Sequence, residues 1–124
     1  MSLNAGILAN TGSQAVMETG NIDANSGSKI TNGAGASLTG YTYTAVGGVF
    51  ENKDNSQVAL QSANLTNSAQ LNNFGSSRVA VEGSIDVANS SITNVGYLKS
   101  DAIHLKQSAS LINSCLLYTS DAAD

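Results

Sequence analysis

Apolar residues along this chain fall in short clusters separated by Gly, Asn and Ser, and the clusters return at a nearly fixed distance. An apolar residue, any residue and then asparagine occurs at Leu8-Ala9-Asn10, Ile30-Thr31-Asn32, Phe50-Glu51-Asn52, Leu71-Asn72-Asn73, Ile92-Thr93-Asn94 and Leu111-Ile112-Asn113. The spacings are 22, 20, 21, 21 and 19 residues. One further match, Leu65-Thr66-Asn67, lies out of register, so the tripeptide needs support from other positions. A second apolar station follows eight positions after the first, at Val16, Leu38, Val58 and Val79. A third follows after fourteen or fifteen, at Ile22, Leu65 and Ile85, with Ile103 eleven after Ile92. The repeat is plain in GNIDANSGSKITN (20–32) and GSIDVANSSITN (83–94), where one phrase is written twice.

Each station reads as a short strand, because VALQ, VAVEG and IHLK alternate apolar with other residues at period two. Strands this short bury no core alone, but units stacked about 4.8 Å apart hydrogen-bond to one another. The pattern predicts an all-β parallel β-helix, or β-solenoid, with about 20 residues and three strands per coil. It spans about five complete coils and part of a sixth, right-handed because parallel crossovers overwhelmingly are. Ile30, Val58, Leu71, Val79, Ile85, Ile92 and Ile103 are expected to point inward, and Glu51, Arg78, Asp86 and His104 outward. Asn10, Asn32, Asn52, Asn73, Asn94 and Asn113 are expected at turns, where asparagine accepts left-handed geometry, with their amides stacked as a structural ladder. A row of ligand-binding amides is the alternative. Gly12, Gly33, Gly75 and Gly96 fall near the same turn and take the same conformational explanation.

The last ten residues, CLLYTSDAAD, share none of this pattern. They match one reading frame of a transposon mosaic-end adaptor used in sequencing libraries, so residues 1–114 are read as the solenoid and 115–124 as a non-native tail. The natural protein is then expected to continue beyond this stretch, with Met1 an internal methionine. Without the tail the chain has five basic and seven acidic groups, a net charge of -2, and no cysteine. No Lys/Arg run marks a nucleic-acid binder, and no apolar run is long enough to span a membrane. With 11% charged residues, no proline and abundant Asn, Ser, Thr, Ala and Gly, the composition disfavours helix.

Candidate chemistry is thin. Asp23 and Asp86 occupy equivalent stations three coils apart, about 14 Å at coil spacing, too far for a glycosidase carboxylate pair. His104, between Ile103 and Leu105, reads as a lone surface histidine, neither metal ligand nor activator of a nucleophile. YTYT (41–44) places Tyr41 and Tyr43 on one strand face, where a sugar platform is conceivable, but an irregular loop or a partly buried pair fits better. The single Thr-x-Thr does not make an ice-binding array, and Gly47-Gly48 alone does not make a calcium-binding nonapeptide repeat. No catalytic, cofactor-binding or metal-ligating residue is assigned.

With these stations in place, the unit resembles the filamentous haemagglutinin repeat, most closely over SITNVGYLKSDAIHLKQSASLIN (91–113) and more loosely over residues 8–113. The resemblance implies the shaft of a very large bacterial exoprotein, secreted or at the cell surface and exported by a dedicated outer-membrane partner. Such shafts serve adhesion to a host or neighbouring-cell surface, protein or glycan, or carry a contact-dependent toxin. Neither a secretion domain nor a toxin domain of such proteins is visible in these residues. Uncapped terminal coils would be open to end-to-end self-association. Two other readings stay open: a bactofilin-like cytoskeletal polymer, disfavoured by the uneven coil length, and a polysaccharide-degrading β-helix enzyme.

Overall fold

A computed structural model describes residues 1–114 and, for the backbone alone, 116–121. No helix occurs among the described residues, and every strand pairing is parallel. The chain winds as a β-solenoid of about five turns with about 21 residues per turn.

The first face holds Ile7–Thr11, Lys29–Gly33, Val49–Asn52, Gln70–Asn73, Ser91–Asn94 and Ser110–Asn113, stacked in that order. The second holds Val16–Glu18, Ser37–Thr39 and Gln57–Leu60, followed by residues 78–81 and 97–100 of two longer strands. The third begins with Ser2–Leu3 and continues through Ile22–Asn25, Thr42–Val46 and Ser62–Thr66 into residues 84–88 and 102–106. In the fourth and fifth coils the second and third faces therefore run on as single strands, Arg78–Ala88 and Tyr97–Lys106. Of the residues set aside as a foreign tail, Leu116–Asp121 form a strand beside Tyr97–Ala102.

Side chains alternate in and out because successive residues of a strand face opposite sides. Ile30, Val58, Leu71, Val79, Ile85, Ile92 and Ile103 all lie in the core, at most 2% exposed. Glu51, Arg78, Asp86 and His104 alternate with them on the outside. On the first face the column Leu8, Ile30, Phe50, Leu71, Ile92, Leu111 follows the sequence repeat one for one.

The other two columns differ from the sequence reading. Val16 is paired with Ser37 and is 69% exposed, while Met17 aligns with Leu38, Val58, Val79 and Leu98. The first coil is the longest, so its second strand begins one residue later than a count from Leu8 suggests. Leu65 likewise does not stack with Ile22 and Ile85. That column runs Ile22, Tyr43, Ala63, Ile85, Ile103, and Leu65 stands in the next, with Ala24, Ala45, Val87 and Leu105. With the bulky Tyr43 in the coil before and Ile85 in the coil after, the small Ala63 lies between them.

Glycine acts here in two ways. Gly12 and Gly75 do take positive φ, at 117° and 63°. Gly33 and Gly96 do not, and at Gly96 the reason is steric: a Cβ there would collide with the Ser77 carbonyl oxygen of the coil before. A similar approach occurs at Gly83, where a Cβ would meet the Gln61 oxygen at 2.8 Å. Gly83 sits where Arg78–Ala88 bulges against its partner, between Val81 and Ser84.

Placing a charge in the column of Val79 buries it with no partner, so Val79→Asp is expected to cost about 3 kcal/mol or more. Arg78→Ala, one position away on the outside, removes a guanidinium 4.4 Å from the Tyr97 ring centroid and is expected to cost about 0.5–1 kcal/mol. Urea unfolding of the two variants measures both; equal losses would overturn the in/out register.

Candidate functional site

The six recurrent asparagines are the first candidates. All are the last or next-to-last residues of first-face strands, and none has positive φ, so the left-handed turn explanation does not apply to them. Asparagines that do take that conformation are others: Asn55, Asn67 and Asn89, exposed at turns. The ladder residues instead point inward. Asn10 Nδ2 donates to Asn32 Oδ1 at 2.9 Å, Asn32 to Asn52 at 3.0 Å and Asn52 to Asn73 at 3.0 Å. Asn73 to Asn94 and Asn94 to Asn113 follow, each at 2.8 Å.

Each interior amide also closes the turn between first and second faces. Asn52 Nδ2 donates to the Ser56 carbonyl of its own coil and to the Arg78 carbonyl of the next. Asn32 does so with Ala36 and Gln57, and Asn73 with Ser77 and Tyr97. Asn32, Asn52, Asn73 and Asn94 are no more than 1% exposed. Amides so occupied and so buried offer nothing to an external ligand, which excludes the ligand-binding alternative for them. Ser56 and Ser77 reinforce the same turn, their hydroxyls accepting from the backbone N–H groups of Gly35 and Ser56.

The third face carries the titratable candidates. Asp23, Thr44, Asn64, Asp86 and His104 form one outward column, so Asp23 and Asp86 are three coils apart with uncharged side chains between them. His104 is not alone: its Nδ1 lies 2.7 Å from Asp86 Oδ1, joining the fourth and fifth coils. A carboxylate-oriented imidazole is one half of a nucleophile-activating arrangement. Among the described residues no hydroxyl or thiol is hydrogen-bonded to this ring, and no group of three or more His, Cys, Asp and Glu is placed to hold a metal. The pair bridges two coils at the surface, with side chains 43% and 39% exposed. Lys29 and Glu51 make a looser bridge on the first face, at 3.6 Å.

The tyrosines separate. Tyr41 is 62% exposed, whereas Tyr43 is fully buried and meets Phe50 edge to face, with centroids 5.0 Å apart. The side-by-side sugar platform therefore does not exist. Among the described residues Tyr43 Oη has no hydrogen-bond partner, and burial pushes its pKa far above the usual tyrosine value.

On the second face, small outward side chains line up between larger ones. Thr39, Ala59 and Ala80 stand in one column between Glu18 and Lys99. Beside it stand Ser37, Gln57, Arg78 and Tyr97, with Arg78 Cζ 4.4 Å from the Tyr97 ring centroid. On its other flank Gln61 Nε2 donates to Glu82 Oε2 at 2.7 Å, and Tyr41 lies one coil below Gln61, whose N–H donates to the Tyr41 carbonyl at 2.7 Å. The sequence signal for this row is an alanine one residue after the second station in two successive coils, Val58-Ala59 and Val79-Ala80. At the corner between the third and first faces, a shallow hollow of about 240 Å³ is lined chiefly by serines, among them Ser68, Ser90, Ser91 and Ser108, and contains no titratable group.

The architecture defines a class, the parallel β-solenoid. No family model, curated protein or solved structure matches the chain.

Two outcomes follow from the buried polar groups. Asn52→Ala strands the Asn32 donor and the Asn73 acceptor and is expected to cost about 2–4 kcal/mol, measured by chemical denaturation. Tyr43→Phe removes an unpaired buried hydroxyl and is expected to stabilise by about 1 kcal/mol. Because the folded-state pKa of Tyr43 is raised, the unfolded chain releases that proton first, so wild-type stability falls as pH rises through about 10, the ordinary tyrosine value. Melting curves of the Phe variant should lack that component of the alkaline decline.

Proposed function

We propose that this chain is a shaft segment of a large haemagglutinin-like exoprotein of a bacterial surface, a rod that separates and displays adhesive regions rather than performing chemistry. The observation that carries this reading is the uninterrupted amide ladder, which links coil to coil from Asn10 to Asn113. A coil stabilised almost wholly by its neighbours is a length unit, and adding units lengthens the rod without a new fold. The outer surface supports the same reading: the carboxylates of the third face are not paired with each other, and the histidine's partner is a carboxylate. Export through an outer-membrane partner and contact with a host or neighbouring cell belong to the same proposal and rest on the sequence resemblance.

If coils are interchangeable length units, excising residues 49–69 joins Gly48 to Gln70 in register, since Val49 and Gln70 are aligned. That variant should keep a β-type circular dichroism spectrum and cooperative melting, and small-angle scattering should show a rod shorter by one coil, about 4.8 Å. Excising residues 49–58 breaks the register and should unfold the chain. Loss of structure in both would end the shaft reading, as would release of reducing ends from an acidic polysaccharide by the intact protein.

A further inference from the structure

The six ladder asparagines are followed by Thr11, Gly33, Lys53, Phe74, Val95 and Ser114, and Asn32-Gly33 is the only Asn-Gly pair in the chain. The fold does not ask for glycine there. Gly33 has no positive φ, and a Cβ on it would lie 3.6 Å from Lys53 Cγ and 3.7 Å from Asp54 Oδ2, ordinary van der Waals distances. Its aligned neighbour in the first coil is a threonine, Thr11.

An Asn-Gly pair carries a reaction of its own. The glycine backbone nitrogen attacks the asparagine Cγ; a C–N bond forms, the Cγ–Nδ2 bond breaks, and ammonia leaves with the proton that the backbone nitrogen gives up. Water then opens the succinimide ring at one of its two carbonyls, leaving aspartate or isoaspartate. Glycine favours the first step because it has no Cβ to hinder the attack and moves freely through the conformations that ring closure needs.

The folded chain opposes that step at every atom involved. Asn32 Nδ2 donates to Asn52 Oδ1 at 3.0 Å, to the Gln57 carbonyl at 2.9 Å and to the Ala36 carbonyl at 3.3 Å, while its Oδ1 accepts from Asn10 Nδ2 at 2.9 Å. The side chain cannot turn back on its own backbone without breaking these bonds. The strand Lys29–Gly33 is paired on both sides, and both Asn32 and Gly33 are buried away from the water that the second step consumes.

We infer that Asn32-Gly33 is a deamidation site that the fold holds shut and unfolding opens, with water as its only co-reactant. The product does not fit the place it came from. Aspartate at position 32 turns an oxygen toward Asn52 Oδ1 and the Ala36 and Gln57 carbonyls, so acceptor faces acceptor where the amide had three partners. Isoaspartate also routes the main chain through the side chain and upsets the in/out alternation of the strand. Time spent unfolded is thereby recorded, irreversibly, in the row that sets coil register.

Peptide-resolved mass spectrometry of the intact chain, kept at mildly alkaline pH with and without urea, tests this. Conversion of the Asn32 amide to a carboxyl is expected in urea and about a hundredfold slower or more in native buffer, because the reaction must wait for local opening. After dilution from urea, chains converted at Asn32 should not regain cooperative melting, whereas Gly33→Ala, which lacks the reactive pair, should regain it after the same exposure. Asn32→Asp expressed directly should show the same defect as the converted chain. Equal rates with and without urea, an intact Asn32 amide in urea, or unchanged melting of Asn32→Asp overturns the inference. The rate comparison is made on the wild-type chain and holds whatever the variants do.

Discussion

Everything in this molecule depends on coils stacking in register, and a single buried amide per coil holds that register. Parallel strands alone tolerate sliding, since the backbone bonds re-form after a shift of two residues. The asparagine side chain does not. Its oxygen accepts from the coil before and its nitrogen donates to the coil after and to the turn carbonyls, so slippage strands several buried polar groups at once. The apolar columns supply most of the burial, but Leu, Ile, Val, Phe and Met substitute for one another within a column and discriminate poorly between registers. Specificity comes from the polar row and cohesion from the apolar ones.

Fixing one row so firmly leaves the connections between strands free to vary. Ladder partners are separated by 22, 20, 21, 21 and 19 residues, and the differences fall at the corners, the one after the asparagine included, where Met17 follows Asn10 by seven residues but Leu98 follows Asn94 by four. Positive-φ pairs at Asp54-Asn55, Asn67-Ser68 and Gln107-Ser108 turn the chain tightly, while Arg78–Ala88 takes its extra residue as a bulge. An outer side chain therefore meets a neighbour whose distance in sequence differs from coil to coil. Asp86 and His104 are 18 residues apart, Gln61 and Glu82 are 21.

That irregularity decides what could be read from the sequence. The first-face columns were legible, because asparagine is chemically distinctive and its apolar companion stands two residues ahead in every coil. The asparagine's role was only half legible: turn residues and buried amide ladders both favour Asn, and only the fold separates Asn52, extended and buried, from Asn55, left-handed and exposed. Val16 displaced Met17 because both are apolar and adjacent. Ala63 was overlooked for Leu65 because a methyl group carries little hydrophobic signal. The partner of His104 was within reach, since Asp86 follows Ile85 as His104 follows Ile103, but a fixed repeat of about 20 residues does not bring an 18-residue pair together.

The amide row has a sense of direction. Every Nδ2 faces the following coil and every Oδ1 the preceding one, so the side-chain dipoles add along the axis instead of cancelling. It is the side-chain counterpart of the aligned peptides of a helix, and polarisation passes from one amide to the next in the same way. The rod is thus an arrow. A coil can be duplicated or removed and the arrow stays intact, but a coil set in the opposite sense would put amide hydrogens against amide hydrogens on one side and oxygens against oxygens on the other. Two such rods meeting end to end through this row can continue one another only head to tail.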